Sequence, residues 1–145
     1  MKLNHFVQQL DRERLTAAIK EAERGNSGDV VLFISHHKVA DAVSAAHSSF
    51  SELKLAQTCP QNSVLIFVAP KSRQLAIIGG ADLHQRLPSE WWSNLVGTVT
   101  AHFANGALND GLLYALAEIG IAQRMYFSTD ENADRAGQTD LLEDS

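Results

Sequence analysis

Hydrophobic positions along the chain change their spacing several times, and each change marks an element. Leu3, Phe6, Val7 and Leu10 recur at helical spacing, as do Leu15, Ala18, Ile19 and Ala22. The five-residue step from Leu10 to Leu15 places them on different faces, so the pattern predicts a break near Asp11, whose carboxylate suits a helix cap. Gly25-Asn26 closes the second helix, because both residues tolerate the left-handed conformation. Val30-Val31-Leu32-Phe33-Ile34 is a continuous β-rich run, too apolar for a strand with one wet face, and reads as a strand inside a covered sheet. Residues 39–53 read as a helix with Val39, Val43, Ala46 and Phe50 on one side, residues 55–62 as a loop, and residues 64–69 as a second covered strand. Pro70-Lys71-Ser72-Arg73 is a polar turn before a third strand at Leu75-Ala76-Ile77-Ile78, and so short a link predicts an antiparallel hairpin.

Gly79-Gly80 ends that strand. Pro88-Ser89 opens a helix running to about Phe103, with Ser89 as its cap and Glu90 suited to the positive helix start. Asn105-Gly106 breaks it. Asn109 caps a last helix whose apolar stripe is Leu112, Leu113, Leu116, Ile119, Ala122 and Met125. The order predicts an α/β fold: a mixed, mostly parallel sheet that includes a β-hairpin and carries helices on both faces.

Charge divides the chain. The formal net charge is −5, and residues 129–145 hold Asp130, Glu131, Asp134, Asp140, Glu143 and Asp144 against Arg135 alone. The remainder is therefore neutral, with no cluster of Lys or Arg, which argues against a nucleic-acid footprint. Residues 1–128 read as one domain and residues 129–145 as a disordered, solubilising acidic tail. Cys59 is the single cysteine, so neither an intrachain disulfide nor a zinc knuckle is expected. The start of the chain lacks the apolar stretch of a signal peptide, and the longest apolar run is far too short to cross a bilayer. The expectation is a soluble, cytoplasmic, unanchored protein.

Read in order, the motifs resemble the TPM domain, named for a thylakoid lumen protein, a photosystem II repair protein and a nematode receptor auxiliary protein. The resemblance covers about residues 15–127. It rests on Ala18-Ile19 and Ala22-Glu23 in a helix, Ser27-Gly28-Asp29-Val30 at the entry to a strand, and Ala46 with Phe50, followed by Thr58. It continues through Asn62-Ser63-Val64-Leu65-Ile66-Phe67-Val68-Ala69 and Ala76-Ile77-Ile78-Gly79 to Trp92, Phe103, Gly106, Gly111-Leu112 and Gly120. No one element is specific; their order and spacing together are. The resemblance implies a three-layer α/β/α sandwich. It also implies a choice of roles, since some relatives are acid phosphatases, some bind divalent ions, and others serve membrane-protein repair or accompany receptors. The chain departs from the family pattern where an ion would sit. Gly79-Gly80-Ala81-Asp82-Leu83 stands where the family has Gly-Asp then Gly-Ile, and Gln61-Asn62-Ser63 where it has Arg-Asn-Gly, which removes a natural phosphate contact.

Two groups of residues carry candidate chemistry. His36 and His37, with Asp41 beyond them, follow the first strand, at the end where open α/β sheets place ligands; a polar loop leading into a helix accounts for the same residues. In the second group, Gly79 and Gly80 allow close backbone approach of a ligand, while Asp82 and His84 offer oxygen and nitrogen to a cation, calcium or magnesium by the hardness of the oxygen donor. A tight turn capped by Asp82 explains that group without a ligand. Asp29 and Asp110 are further carboxylates whose placement at the same end the sequence leaves open. Trp91 is a candidate anchor for a protein partner, and Trp92 reads as core. His5, His47 and His102 read as packing or solvent residues. The expected role is a protein-binding accessory domain tuned by a divalent ion, with a divalent-cation-dependent acid phosphatase acting on phosphomonoesters as the alternative.

Overall fold

The computed structural model describes residues 10–24, 29–52, 63–127 and 141–143. The helical pattern at Leu3, Phe6 and Val7, the Gly25-Asn26 stop, His5 and Cys59 lie outside them.

Helix α1, Arg12–Glu23, starts where the Asp11 carboxylate accepts a hydrogen bond from the Arg14 backbone N–H at 3.2 Å, as the break in apolar spacing predicts. Leu15, Ile19 and Ala22 turn into the core. Strand β1, Val30–Ile34, lies parallel to β2, Val64–Ala69, with Val30 opposite Val64 and Ile34 opposite Val68. All six β2 positions are buried, which is why neither strand alternates polar and apolar residues. A short 3-10 turn, Pro70–Ser72, closed by Arg73 in the left-handed region at φ 53°, turns the chain into antiparallel β3, Gln74–Gly79. Strand β4, Leu141–Glu143, pairs parallel to β1, giving the sheet order β3-β2-β1-β4. Three residues of the segment read as an acidic tail thus supply an edge strand. Residues 128–140 lie outside the described structure.

Alternation along the strands divides the side chains between two clusters. Val30, Leu32, Ile34, Val64, Ile66 and Val68 face α1, α4 (Ser89–Ala104) and α5 (Leu108–Phe127). Val31, Leu65, Phe67 and Ala76 face α2 (Ala42–Glu52), where the Phe33 and Phe67 rings stack at 5.6 Å. The expected three-layer α/β/α sandwich is therefore present. Helices α1 and α5 approach closely: a Cβ at Gly120 would lie 2.8 Å from the Ala22 Cα.

Several local expectations change. Val43 is 52% exposed, because α2 turns Ala42 and Ala46 to the sheet and Val39 lies ahead of the helix. Pro88, not Ser89, is the N-cap of α4, in an extended conformation that leaves its carbonyl to accept from the Trp91 N–H at 2.9 Å. Asn109 lies inside α5 instead of capping it; its Oδ1 accepts from the Asp11 N–H at 2.8 Å and joins the starts of α1 and α5. Met125 is 66% exposed, so the buried stripe of α5 ends at Ala122 and Gln123. A short helix α3, Ala81–Arg86, replaces the tight turn read at Asp82. Among the described residues no helix is long and apolar enough to cross a membrane.

Candidate functional site

Strand register separates the two groups of candidate residues. Gly79 pairs with Val64, the first residue of β2, which itself pairs with Val30, the first of β1. Gly79, Gly80 and α3 therefore lie at the amino ends of the parallel strands, whereas His36 follows Ile34 at the carboxyl ends. At about 3.3 Å per residue, five residues of strand put roughly 16 Å between them. His36 cannot share a small ligand with Asp82 or His84.

The glycine pair has a packing reason. A Cβ on Gly79 would lie 2.5 Å from Cη2 of Trp92, a residue only 7% exposed. Gly80 is the N-cap of α3; its N–H donates to the Ser63 carbonyl at 2.8 Å and its carbonyl accepts from the His84 N–H at 2.9 Å. Asp82, in the first turn of α3, accepts from Arg86 Nε at 2.9 Å. Both side chains are partly exposed, so this i, i+4 pair is worth about 0.3–0.5 kcal/mol. The Arg86 guanidinium also lies over the Tyr126 ring, 5.5 Å from its centre, which ties α3 to the end of α5.

Asp82 and His84 are two positions apart, hence about 200° apart around a helix. The His84 ring stacks on Trp92 with centres 5.6 Å apart, while Asp82 turns to Arg86. The two side chains expected to share a cation thus diverge in this structure. Among the described residues no group of three or more His, Cys, Asp or Glu is placed to hold a metal. Asp29 does lie at this end, its carbonyl accepting from the Val64 N–H at 2.8 Å, but Asp110 opens α5 at the opposite end.

At the carboxyl ends, His36 is half-buried and His37 exposed. The loop around them is tied to the hairpin: Ser72 Oγ accepts from the Val39 N–H at 2.8 Å and Gln74 Oε1 from the Ala42 N–H at 2.7 Å. Asp41 accepts from the Val43 N–H and the Ser44 hydroxyl, fixing the start of α2. Trp91 is half-buried, its ring edge-on to Trp92 at 4.9 Å, and Trp92 is core as expected. His47 is exposed, and His102 stacks on Tyr114 at 6.1 Å.

Three features escaped sequence reasoning. Glu23 is buried, and its Oε2 accepts from the Val30 N–H at 2.9 Å; Gln123, also buried, donates to the Asp29 carbonyl at 3.4 Å. These side chains join the ends of α1 and α5 to the entry of β1. The available signal was the i, i+4 series Leu15, Ile19, Glu23, which puts a carboxylate on the buried stripe. The second feature is the outward face of α5, where Tyr114, Ile121 and Met125 are 40%, 51% and 66% exposed. The third is a cleft of about 480 Å³ beside the hairpin, with Arg73 at its wall. The cleft has no signal in the linear pattern, and the outer face of α5 shows there only as the i, i+7, i+11 spacing of Tyr114, Ile121 and Met125.

A profile of the TPM phosphatase family, described as the TPM domain, matches residues 2–122. No curated protein matches. Among solved structures, the BA42 protein of the psychrophilic bacterium Bizionia argentinensis is similar at 23% identity and a TM-score of 0.79, over 91% of each chain. The N-terminal domain of the cg2496 protein of Corynebacterium glutamicum is similar at 12% identity and a TM-score of 0.61, over 91% of this chain and 86% of that one. The N-terminal domain of a protein from P. gingivalis is similar at 18% identity and a TM-score of 0.55, over 76% and 71%. At these identities the solved structures speak to the fold.

Proposed function

The chain belongs to the TPM domain family, and from that premise we propose that it serves as a protein-binding accessory domain that docks through the outer face of α5. The observation that carries this reading is the helix's second apolar stripe. Its inner stripe, Leu112, Leu116 and Ile119, is buried in the core, yet Tyr114, Ile121 and Met125 are exposed at i, i+7 and i+11. Exposed apolar side chains in register along a helix suit a partner that presents an apolar groove or an amphipathic helix. A long, flexible Met and an amphipathic Tyr are the side chains such contacts favour. Trp91, half-buried beside Trp92, is a second and smaller candidate contact.

The test is affinity capture from source-cell extract with the intact chain and its variants. Ile121→Glu together with Met125→Glu changes surface positions, so the fold is expected to survive. One polypeptide should be retained in stoichiometric amount by the intact chain and by Asp82→Ala, and lost with the α5 pair. A Trp91→Ala arm measures any share of that ring in the contact. Equal retention by the α5 double variant would reject the reading.

A further inference from the structure

The cleft beside the hairpin lies between the start of β3 and the end of α4, at the carboxyl end of β2. Its volume, about 480 Å³, falls within the roughly 300–1,000 Å³ of small-molecule sites. It also occupies the end of the parallel strands where open α/β sheets hold ligands. Val68, Leu75, Phe103 and Leu108 make its walls apolar, and Arg73 brings the only charge among the lining residues. We propose that this cleft binds a small carboxylate with an apolar body, its carboxylate paired to the Arg73 guanidinium and its body against Leu75, Phe103 and Leu108.

Three observations support that chemistry. The Arg73 side chain has no hydrogen-bond or ion-pair partner among the described residues, while its backbone N–H closes the turn on the Pro70 carbonyl at 3.1 Å. The other polar lining groups are already engaged. Gln74 bonds Ala40 and Ala42 through both ends of its amide, and the Thr100 hydroxyl donates to the Val96 carbonyl at 2.8 Å. One guanidinium on an apolar wall matches a monoanion, to which it can present two parallel N–H groups; a phosphate dianion would retain an unmatched charge. Arg73 is also the described non-glycine residue with positive φ, at 53°. Gly or Asn adopts that conformation at lower cost, so an arginine there places a guanidinium at some expense of backbone strain.

The probe is 4-phenylbutyrate, with 4-phenyl-1-butanol as its neutral analogue and inorganic phosphate as the bare anion, each titrated into the full chain and followed by backbone-amide NMR. A ligand of this size should bind the intact chain with a Kd on the order of 1 mM. Shifts should centre on residues 73–75 and 100–108, and the alcohol should bind about tenfold more weakly. Arg73→Gly keeps the left-handed turn. It should weaken the carboxylate about tenfold and leave the alcohol unchanged, whereas Arg73→Lys should recover part of the loss. Ala104→Phe, at an exposed position on the cleft wall, should abolish binding of both by filling the space. Equal binding of carboxylate and alcohol, an unchanged carboxylate Kd in Arg73→Gly, or no saturable shift at about ten times the expected Kd would each overturn the proposal. So would phosphate binding more tightly than phenylbutyrate.

Discussion

Gly79→Ala isolates the reason for the glycine pair. If the residue is there for a ligand, the variant should fold normally and lose binding. If it is there for Trp92, the variant should lose stability, and only while the indole is present. The added Cβ would sit 2.5 Å from Cη2 and 3.0 Å from Cζ2 of Trp92. The ring cannot move away freely, being held edge-on by Trp91 at 4.9 Å and stacked by His84 at 5.6 Å within a closed cluster. Overpacking of this kind costs about 1–3 kcal/mol. Alanine returns about 0.4–1 kcal/mol by restricting the unfolded chain, since Gly79 has no positive φ that alanine would strain. The expected net loss is about 1–2 kcal/mol, or roughly 3–6 °C in Tm for a chain of this length. Urea unfolding followed by fluorescence reads it directly, with m unchanged. In a Trp92→Leu background the clash is gone, so the same substitution should cost under about 0.5 kcal/mol relative to that background. An equal loss in both backgrounds would place the constraint elsewhere and refute the argument from the indole.

Two further outcomes follow from other contacts. Glu23→Ala orphans the β1 N–H of Val30 in a buried place and should cost about 1–3 kcal/mol by urea unfolding, while Glu23→Gln, which keeps an acceptor oxygen, should cost distinctly less; equal losses would mean that the hydrogen bond is not what matters. A chain ending at residue 140 lacks β4 and bares one edge of β1, so amide exchange across Val30–Ile34 should quicken while β3 keeps its protection; unchanged β1 protection would show that β4 contributes nothing to the sheet.

What the sequence determined by itself was local and repetitive. Uninterrupted apolar runs place β1 and β2, since a strand buried on both faces has no polar alternation to hide it. A four-residue polar link makes β2 and β3 a hairpin, and the Asp11 cap and the Asn105-Gly106 break set helix ends through single-residue chemistry. The order of family motifs extends this to the sandwich.

The tertiary structure alone decided which features face one another. Asp82 and His84 looked like neighbours in the sequence, but the helical turn of α3 points them apart, and strand register carries His36 to the far end of the sheet. Glu23 stands in the sequence as half of the Ala22-Glu23 motif, and only the packing of α1 over the entry to β1 gives its carboxylate the Val30 N–H. Leu141–Glu143 reads as tail, because three residues carry too little periodicity to announce a strand; pairing with β1 makes it one. Met125 has the spacing of a core residue, and only the direction in which α5 meets the sheet leaves it outside. The Arg73 cleft arises from the approach of β3 to the end of α4, two segments distant in sequence. Periodicity describes an element against its own axis. Sites are made between axes, where packing of the whole chain sets the angle.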